Sequence, residues 1–234
     1  MDNGTKNIHS GHRQRMKDKA LKYGFDKFEN HEILEMLLYS VIPQKDTNPI
    51  AHELINTFGS FYAVFDAPEK ELLKVKGMTK SAVFLIKMIP SLSSFYIQDK
   101  TKDNNIFITS SESAYEFLAP KYIGKTNEVA MAILMNNSGK VLACETISDG
   151  TVNAAEINTR KIIELCIKYN ATQVILSHNH PSGIAVPSMN DFVTTKNVNI
   201  ALKAINARLL DHIVISDKEY VSMGKNSQFK SAFK

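Results

Sequence analysis

Residues 174–183 read VILSHNHPSG, an apolar run that ends in two histidines. The run is typical of a buried strand, and the proline and glycine that follow indicate where the strand ends. Because side chains two residues apart on a strand share a face, His178 and His180 point the same way. Two neutral imidazoles aimed at one point provide half of a metal site. The alternative is a pair of polar residues at a strand end, hydrogen-bonded or solvated.

The composition of the chain is that of a globular protein. Its 234 residues suffice for one large domain or two small ones, with 44% hydrophobic and 22% charged residues. No apolar run approaches the ~20 residues of a membrane span, and residues 1–6 lack the apolar core of a signal peptide. Cys144 and Cys166 lie in apolar contexts without CxxC spacing, which favours buried thiols over a disulfide or metal ligands. We therefore expect a soluble, cytoplasmic protein without membrane association.

The net charge of +4 is mild and evenly spread. Residues 1–100 contain 14 Lys+Arg and 12 Asp+Glu, and residues 101–234 contain the other 14 and 12, so each half carries +2. A nucleic-acid-binding domain usually has a concentrated basic face. Only residues 12–19 are locally basic, which is typical of a solvated helix face. Neither half therefore has the charge of a basic nucleic-acid-binding module.

Helical periodicity dominates the first part of the chain and predicts an all-helical domain over residues 1–97. The clearest helix has Asn48 as its expected N-cap, Pro49 in its first turn and Gly59 as a left-handed stop. Residues 98–105 are polar and lack periodicity, so we predict a linker there.

Beyond the linker, residues 106–234 alternate between strand and helix patterns. The tetrapeptide Asn136-Asn137-Ser138-Gly139 between two apolar runs indicates a hairpin. Strands are expected at 106–109, 129–135, 141–147, 173–178, 209–215 and 219–223, and helices at 111–118, 155–169 and 188–205. The predicted fold class is α+β: an N-terminal all-helical domain followed by a mixed β-sheet with packed helices.

A zinc hydrolase site needs a third protein ligand and one open position for water. Ser188-x2-Asp191 opens a helix after a loop, and this loop can fold the carboxylate of Asp191 back over the histidines. The same pattern also resembles a capping box, in which both residues only satisfy backbone N–H groups. Both interpretations can hold, since a cap fixes the geometry that a ligand needs. His212, which follows Asp211, is expected to be a structural hydrogen-bond partner near a strand.

Hydrolysis also needs a general base near the metal-bound water. Glu128 stands directly before the strand predicted at 129–135 and is the candidate for this role. Glu145 and Glu156 compete with it.

The sequence resembles a known family. His178-x-His180-x7-Ser188-x2-Asp191, with a glutamate upstream, resembles the JAMM motif of the JAMM/MPN metalloproteases. More closely, nearly the whole chain resembles the bacterial RadC family, named for DNA repair, in four stretches: GHRQR at 11–15, IPQKDTNPIAH at 42–52, SHNHPSG at 177–183 and LDHI at 210–213. The resemblance implies an N-terminal helical region with a helix-hairpin-helix element. It also implies an MPN/JAMM-like domain of cytidine-deaminase-like architecture at 106–234.

The resemblance also implies roles for individual residues. It implies one Zn²⁺ per chain, held by three ligands: His178, His180 and Asp191. Glu128 matches the glutamate that activates the water, and Ser188 matches the serine that steadies the oxyanion of the tetrahedral intermediate. Where the protease members have Ser or Thr between the histidines, this chain has Asn179. Its side chain is expected on the opposite face, so we expect it to alter substrate handling rather than metal binding.

Residues 75–82, VKGMTKSA, resemble the loop of a helix-hairpin-helix, in which two glycines expose backbone N–H groups to a phosphate. Thr79 occupies the second glycine position, and its Cβ restricts positive φ angles. A structural helical hairpin is therefore the alternative to weak DNA binding around Gly77, which would use Lys74, Lys76 and Lys80.

Two hypotheses about function follow. The first is a zinc-dependent hydrolase that cuts an amide or isopeptide bond in a peptide or protein. The alternative is a DNA-associated protein, linked to repair or recombination. It would bind through the N-terminal helix-hairpin-helix and would have a structural or vestigial metal site. The substrate and the oligomeric state are not specified by either pattern.

Overall fold

The computed structural model describes residues 10–100, 105–150, 157–181, 183–217 and 219–234. The chain divides into two compact units, Met1–Leu92 and Ser93–Lys234. Of the predicted linker at 98–105, residues 98–100 are helical, and 101–104 lie outside the described residues. The linker and the domain boundaries drawn from it stay predictions.

The first unit is built of helices, as predicted. They are α1 Ser10–Tyr23, α2 Asn30–Leu38, α3 Asn48–Phe58, α4 Phe61–Asp66, α5 Glu69–Leu72 and α6 Lys80–Lys100, of which residues 93–100 belong to the second unit. Their apolar faces meet in one core, whose fully buried members include Leu34, Leu38, Leu54, Leu72 and Ile86. The spacing of these leucines on α2 and α3 follows the 3.6-residue period and explains why the segments are helical.

The two ends of α3 differ in how well they were predicted. Gly59 ends the helix in the left-handed conformation, with φ of 84°, as expected. The expected N-cap at Asn48 is wrong: Thr47 precedes the helix, and no side-chain cap is formed. Asn48 instead donates its amide to the buried carboxylate of Glu35, at 2.9 Å. The side chain of Asn48 therefore serves as a donor to α2 rather than as the acceptor that an N-cap needs.

The turn around Gly77 joins α5 to α6. Gly77 has a φ of 94°, which a residue with a Cβ rarely adopts. Thr79 caps α6, since its hydroxyl accepts the N–H of Ala82 at 3.1 Å. That N–H is one of the groups a phosphate would bind at this helix end. DNA binding at this turn stays a prediction.

The second unit is a five-stranded mixed sheet with helices on both faces, and it confirms the α+β class. Its elements are α7 Ser111–Tyr122, β1 Val129–Met135, β2 Val141–Asp149, α8 Thr159–Tyr169, β3 Gln173–Asn179, α9 Met189–Ala204, β4 Arg208–Ile215, β5 Tyr220–Ser222 and a final 3-10 helix, Lys230–Phe233. The strand order is β2-β1-β3-β4-β5, in which only β3 and β4 run parallel.

Three predicted elements of this unit differ from the structure by more than two residues, and one of them, the helix expected at 111–118, continues to Tyr122. The strand expected at 106–109 is a single bridge between Phe107 and Lys140, too short for a ladder. The helix expected at 155–169 begins at Thr159, because the side chain of Asn158 caps it by accepting the N–H of Lys161 at 3.1 Å. Residues 155 and 156 lie outside the described residues.

The central strands β1 and β3 are buried on both faces. On one face, Leu176 and Ala130 pack with Ile162 of α8 and Val198 of α9. On the other face, alternate residues of the same strands pack against α7. Alternation along β3 places His178 on the face covered by α8 and α9. Within the described residues, no helix is both long and apolar enough to span a membrane.

Candidate metal centre

His178 and His180 meet at the end of β3. The backbone N–H of His180 donates to the carbonyl of Ile215 on β4 at 2.8 Å, which extends the strand geometry past Asn179. Both imidazoles therefore lie on the same face, and their Nε2 atoms are 3.0 Å apart. His178 is only 3% exposed, while His180 is half-buried at the edge of the site. The predicted pairing of the two rings is present.

Asp191 reaches these rings from the first turn of α9. A complete capping box is formed with Ser188, as one interpretation of the sequence required. The backbone N–H and the hydroxyl of Ser188 both donate to Asp191 Oδ2, at 2.6 and 2.7 Å. The other oxygen, Oδ1, accepts no hydrogen bond from the described residues and lies 3.4 Å from His178 Nε2. The cap thus holds one carboxylate oxygen and directs the other at the histidines.

The three residues form a cluster that could hold a metal ion. One ligand atom from each of His178, His180 and Asp191 lies within 4.8 Å of the others. Two imidazole nitrogens and a carboxylate oxygen are a donor set that zinc and other divalent transition metals accept. Three protein ligands leave a coordination position for water or substrate. The buried Oδ1 atom, without a donor among the described residues, fits a bound cation.

The protonation states of the cluster suit a ligand set. Burial lowers the pKa of His178 to about 4; the charge of Asp191 opposes this shift and the nearby His180 adds to it. For Asp191, burial raises the pKa, but His178 and the two hydrogen bonds from Ser188 outweigh it and lower the pKa below its ordinary value. Near neutral pH the imidazole is therefore uncharged and the carboxylate ionised, which are the forms that bind metals.

Glu128 lies at the same edge of the sheet as the histidines. The ladder pairs Ala130 of β1 with His178, and Glu128 precedes Ala130 by two residues. It is half-buried and stands outside the ligand cluster. The competing Glu145 accepts the hydroxyl of Tyr169 at 2.5 Å and lies on β2. Glu156, the other competitor, lies outside the described residues.

Asn179 holds the chain segment that carries Glu128. Its side chain lies on the opposite face from the two imidazoles, as strand alternation predicts. Its oxygen accepts the N–H of Val129 at 2.7 Å, and its amide donates to the carbonyls of Asn127 at 3.1 Å and Lys125 at 3.4 Å. These bonds flank Glu128 on both sides. The sequence showed the position of Asn179 but not this contact, because its partners lie about fifty residues away.

His212 and Thr195 form a second layer behind His178. His212, on β4, is fully buried, and its Nε2 lies 2.9 Å from Nδ1 of His178. Its Nδ1 lies 2.7 Å from the hydroxyl of Thr195 on α9. Burial lowers the pKa of His212 to about 3; His178 and His180 add to this shift and Asp191 opposes it. The sequence predicted that His212 is a structural hydrogen-bond partner, but not that it contacts a residue of the candidate metal centre. Nothing in the sequence indicates a role for Thr195.

Comparisons with known proteins cover the part of the chain that carries this site. A family model described as "RadC-like JAB domain" matches residues 108–229, more than half of the chain. The matched region contains Glu128, the histidines and Asp191. A protein from Fusobacterium nucleatum subsp. nucleatum named UPF0758 protein FN0909 is 34% identical over 218 residues, which cover 91% of this chain and 94% of that protein.

Proposed function

Because the chain belongs to the RadC family of proteins with a JAB domain, we propose that it is a zinc-dependent hydrolase of amide or isopeptide bonds. The family supports the domain type, and the His-His-Asp cluster supports the metal. The observation that carries the proposal is the convergence of two imidazole nitrogens on a buried carboxylate oxygen that has no donor among the described residues. Such acceptors repel one another unless a cation or a proton lies between them.

The reaction would depend on three kinds of group in the chain. His178, His180 and Asp191 would hold the ion, which when bound lowers the pKa of a coordinated water toward ~7. Glu128 would take a proton from that water and pass it to the leaving amine. Ser188 would donate its hydroxyl hydrogen to the developing oxyanion. That hydrogen is donated to Asp191 in the structure, so this role requires rotation of the hydroxyl.

We propose a peptide or protein substrate and a reducing compartment such as the cytoplasm. The compartment is supported by the two cysteines, which are free thiols. Cys166 is buried in the core between α8 and the sheet, where it acts as a small apolar side chain.

The metal is tested by elemental mass spectrometry on untagged protein. We expect about one zinc per chain in the wild type and none in His178→Ala or Asp191→Ala. His52→Ala, which removes an exposed imidazole in the first unit, should retain the metal. A wild-type protein that binds no zinc, even when zinc is added back, contradicts the proposal.

The reaction is tested with a screen of peptide and isopeptide substrates. Chelation should abolish hydrolysis, and Glu128→Gln should reduce the rate by about 10²–10⁴-fold while zinc stays bound, because a lost general base affects only the proton transfer. Glu145→Gln is the matched control and should retain the wild-type rate, since its partner is Tyr169. An unchanged rate in Glu128→Gln would remove this residue from the mechanism.

A further inference from the structure

We propose that Thr195 and His212 are positioning residues for the metal centre: they hold His178 in the tautomer whose Nε2 is free to bind the ion. The inference rests on the metal site of the proposed function. Its physical basis is a chain of hydrogen bonds in which each hydrogen atom can be assigned from the chemistry of its neighbours. The chain runs from α9 through β4 to β3.

The chain starts at the hydroxyl of Thr195, which has a single hydrogen to donate. Its Oγ1 lies 2.5 Å from the backbone carbonyl oxygen of Asp191. A carbonyl oxygen only accepts, so two oxygens at this distance require the hydroxyl hydrogen between them. Toward the imidazole of His212, the hydroxyl of Thr195 is therefore an acceptor, since the sulfur of Met223, 3.7 Å away, is a much weaker acceptor than this carbonyl.

The second link is His212. Its Nδ1 lies 2.7 Å from Thr195 Oγ1, and because that oxygen accepts, Nδ1 must carry the hydrogen. A neutral imidazole has only one N–H, so Nε2 of His212 presents a lone pair. His212 is fully buried between β4 and its neighbours, which shields this arrangement from solvent.

The third link is His178. Its Nδ1 lies 2.9 Å from the lone pair on His212 Nε2, so Nδ1 carries the hydrogen and Nε2 is bare. The bare Nε2 points at His180 Nε2 and Asp191 Oδ1. If all three hydrogen bonds ran in the opposite direction, Nε2 of His178 would carry a hydrogen where the metal is expected to bind. The direction of the Thr195 hydroxyl thus decides whether His178 can bind a metal.

His180 reaches the same tautomer by a simpler route. Its Nδ1 lies 2.9 Å from the carbonyl oxygen of Ile184, a pure acceptor, so its Nε2 is also bare. For His178, the acceptor is Nε2 of His212, and the hydroxyl of Thr195, one helical turn after Asp191, fixes that nitrogen as an acceptor. The helix that provides the carboxylate ligand therefore also sets the tautomer of the imidazole that lies 3.4 Å from it.

Thr195→Val tests the proposal with a side chain of the same shape. Without the hydroxyl, His212 loses the acceptor for Nδ1 and can carry its hydrogen on Nε2, which reverses the hydrogen bond to His178. We expect zinc affinity, measured by competition with a chromophoric chelator, to fall by about 10–100-fold, as for other groups that orient metal ligands. Long-range ¹H–¹⁵N NMR of the full-length, metal-free protein should show the hydrogen of His178 moved from Nδ1 to Nε2.

Two further variants separate positioning from simple packing. Thr195→Ser keeps the hydroxyl and should restore both the tautomer and the affinity. Thr172→Val removes another buried hydroxyl of the same unit, which has no hydrogen-bond partner among the described residues, and should change neither. An Nδ1 of His178 that carries no hydrogen in the wild type, or wild-type affinity in Thr195→Val, overturns the inference. If the wild type binds no zinc, the proposed function fails, but the NMR of the metal-free protein still decides the tautomer.

Discussion

The two carboxylate oxygens of Asp191 lie in different surroundings, and the difference decides what a substitution does. Oδ2 accepts both hydrogen bonds of the capping box, whereas Oδ1 faces the imidazoles. The alternatives considered for Ser188-x2-Asp191 therefore do not exclude each other. A helix cap orients the carboxylate, and the remaining oxygen is left for a ligand role.

Asp191→Asn should separate these two roles. Its amide oxygen can accept both bonds from Ser188, while its NH₂ group takes the place of Oδ1 and presents donors to the metal position. We expect loss of bound metal with helix capping retained. In urea unfolding of the metal-free protein, Asp191→Ala should be less stable than Asp191→Asn by about 0.5–1.5 kcal/mol, the range of one lost hydrogen bond, because the backbone N–H of Ser188 loses its acceptor. Equal stability of the two variants would show that the cap contributes little.

Asn179→Ala should impair hydrolysis without releasing the metal. The substitution leaves the buried N–H of Val129 without its acceptor, which costs about 1–3 kcal/mol of stability. It also releases the segment that carries Glu128, so the hydrolytic rate should fall while zinc content stays at the wild-type level. Asn199→Ala is a matched control, because it removes a buried amide bonded to Ala232 in the same unit. If both variants lose the same fraction of activity, Asn179 has no positioning role.

At the scale of elements, a buried carboxylate ties α1, α2 and α3 together. Glu35, on α2, is 2% exposed and accepts the hydroxyl of Tyr39 at 2.6 Å and the amide of Asn48 at 2.9 Å. His12 of α1 lies 3.3 Å from the same carboxylate. Arg13 donates to the carbonyls of residues 42, 43 and 45 in the loop before α3. These contacts give a structural role to the stretches at 11–15 and 42–52 that support the family resemblance.

Glu35→Ala should therefore destabilise the first unit. It leaves the buried hydroxyl of Tyr39 without an acceptor, which costs about 1–3 kcal/mol, and it also removes the acceptor of the half-buried Asn48 amide. Glu35→Gln keeps an acceptor and should be less destabilised. Glu53→Ala, an exposed glutamate on α3, is the control and should stay within ~0.5 kcal/mol of the wild type. The effect is measured by denaturant unfolding, which is monitored through hydrogen exchange over residues 10–92.

At the scale of the whole molecule, each unit has a core of its own. The helices of the first unit bury one cluster of leucines and isoleucines, and the sheet of the second unit separates two further clusters. The His-His-Asp cluster belongs to the second unit alone. A ligand that binds there should therefore act first on the stability of that unit.

Zinc should protect the second unit selectively from hydrogen exchange. A ligand that binds only the folded state stabilises it by about 2.7 kcal/mol at a free concentration of 100 times its Kd. We expect slower exchange in β1, β3 and α9 with zinc present, and little change in α2 and α3. His178→Ala should abolish the difference. Equal protection of both units would show that the metal also stabilises the first unit.

The sequence by itself predicted the three residues of the cluster that could hold a metal, because both determinants are local. The two-residue period of a strand puts His178 and His180 on one face, and the capping pattern places Asp191 at the start of a helix. Helix and strand periodicity likewise predicted the α+β class, since it depends on neighbouring residues. Local patterns failed at two places. Asn48 does not cap α3 and donates instead to Glu35, a distant partner, and residues 106–109 form a single bridge rather than a ladder.

Only the tertiary structure decided which groups support the ligands. Asn179 meets Val129 across fifty positions, and His178 meets His212 and Thr195 because β3, β4 and α9 pack together. Such contacts join single side chains from separate elements, so no periodicity or motif within one element predicts them. The strand and helix patterns therefore predicted the residues of the cluster, while long-range packing set its hydrogen bonds and the position of Glu128 beside it.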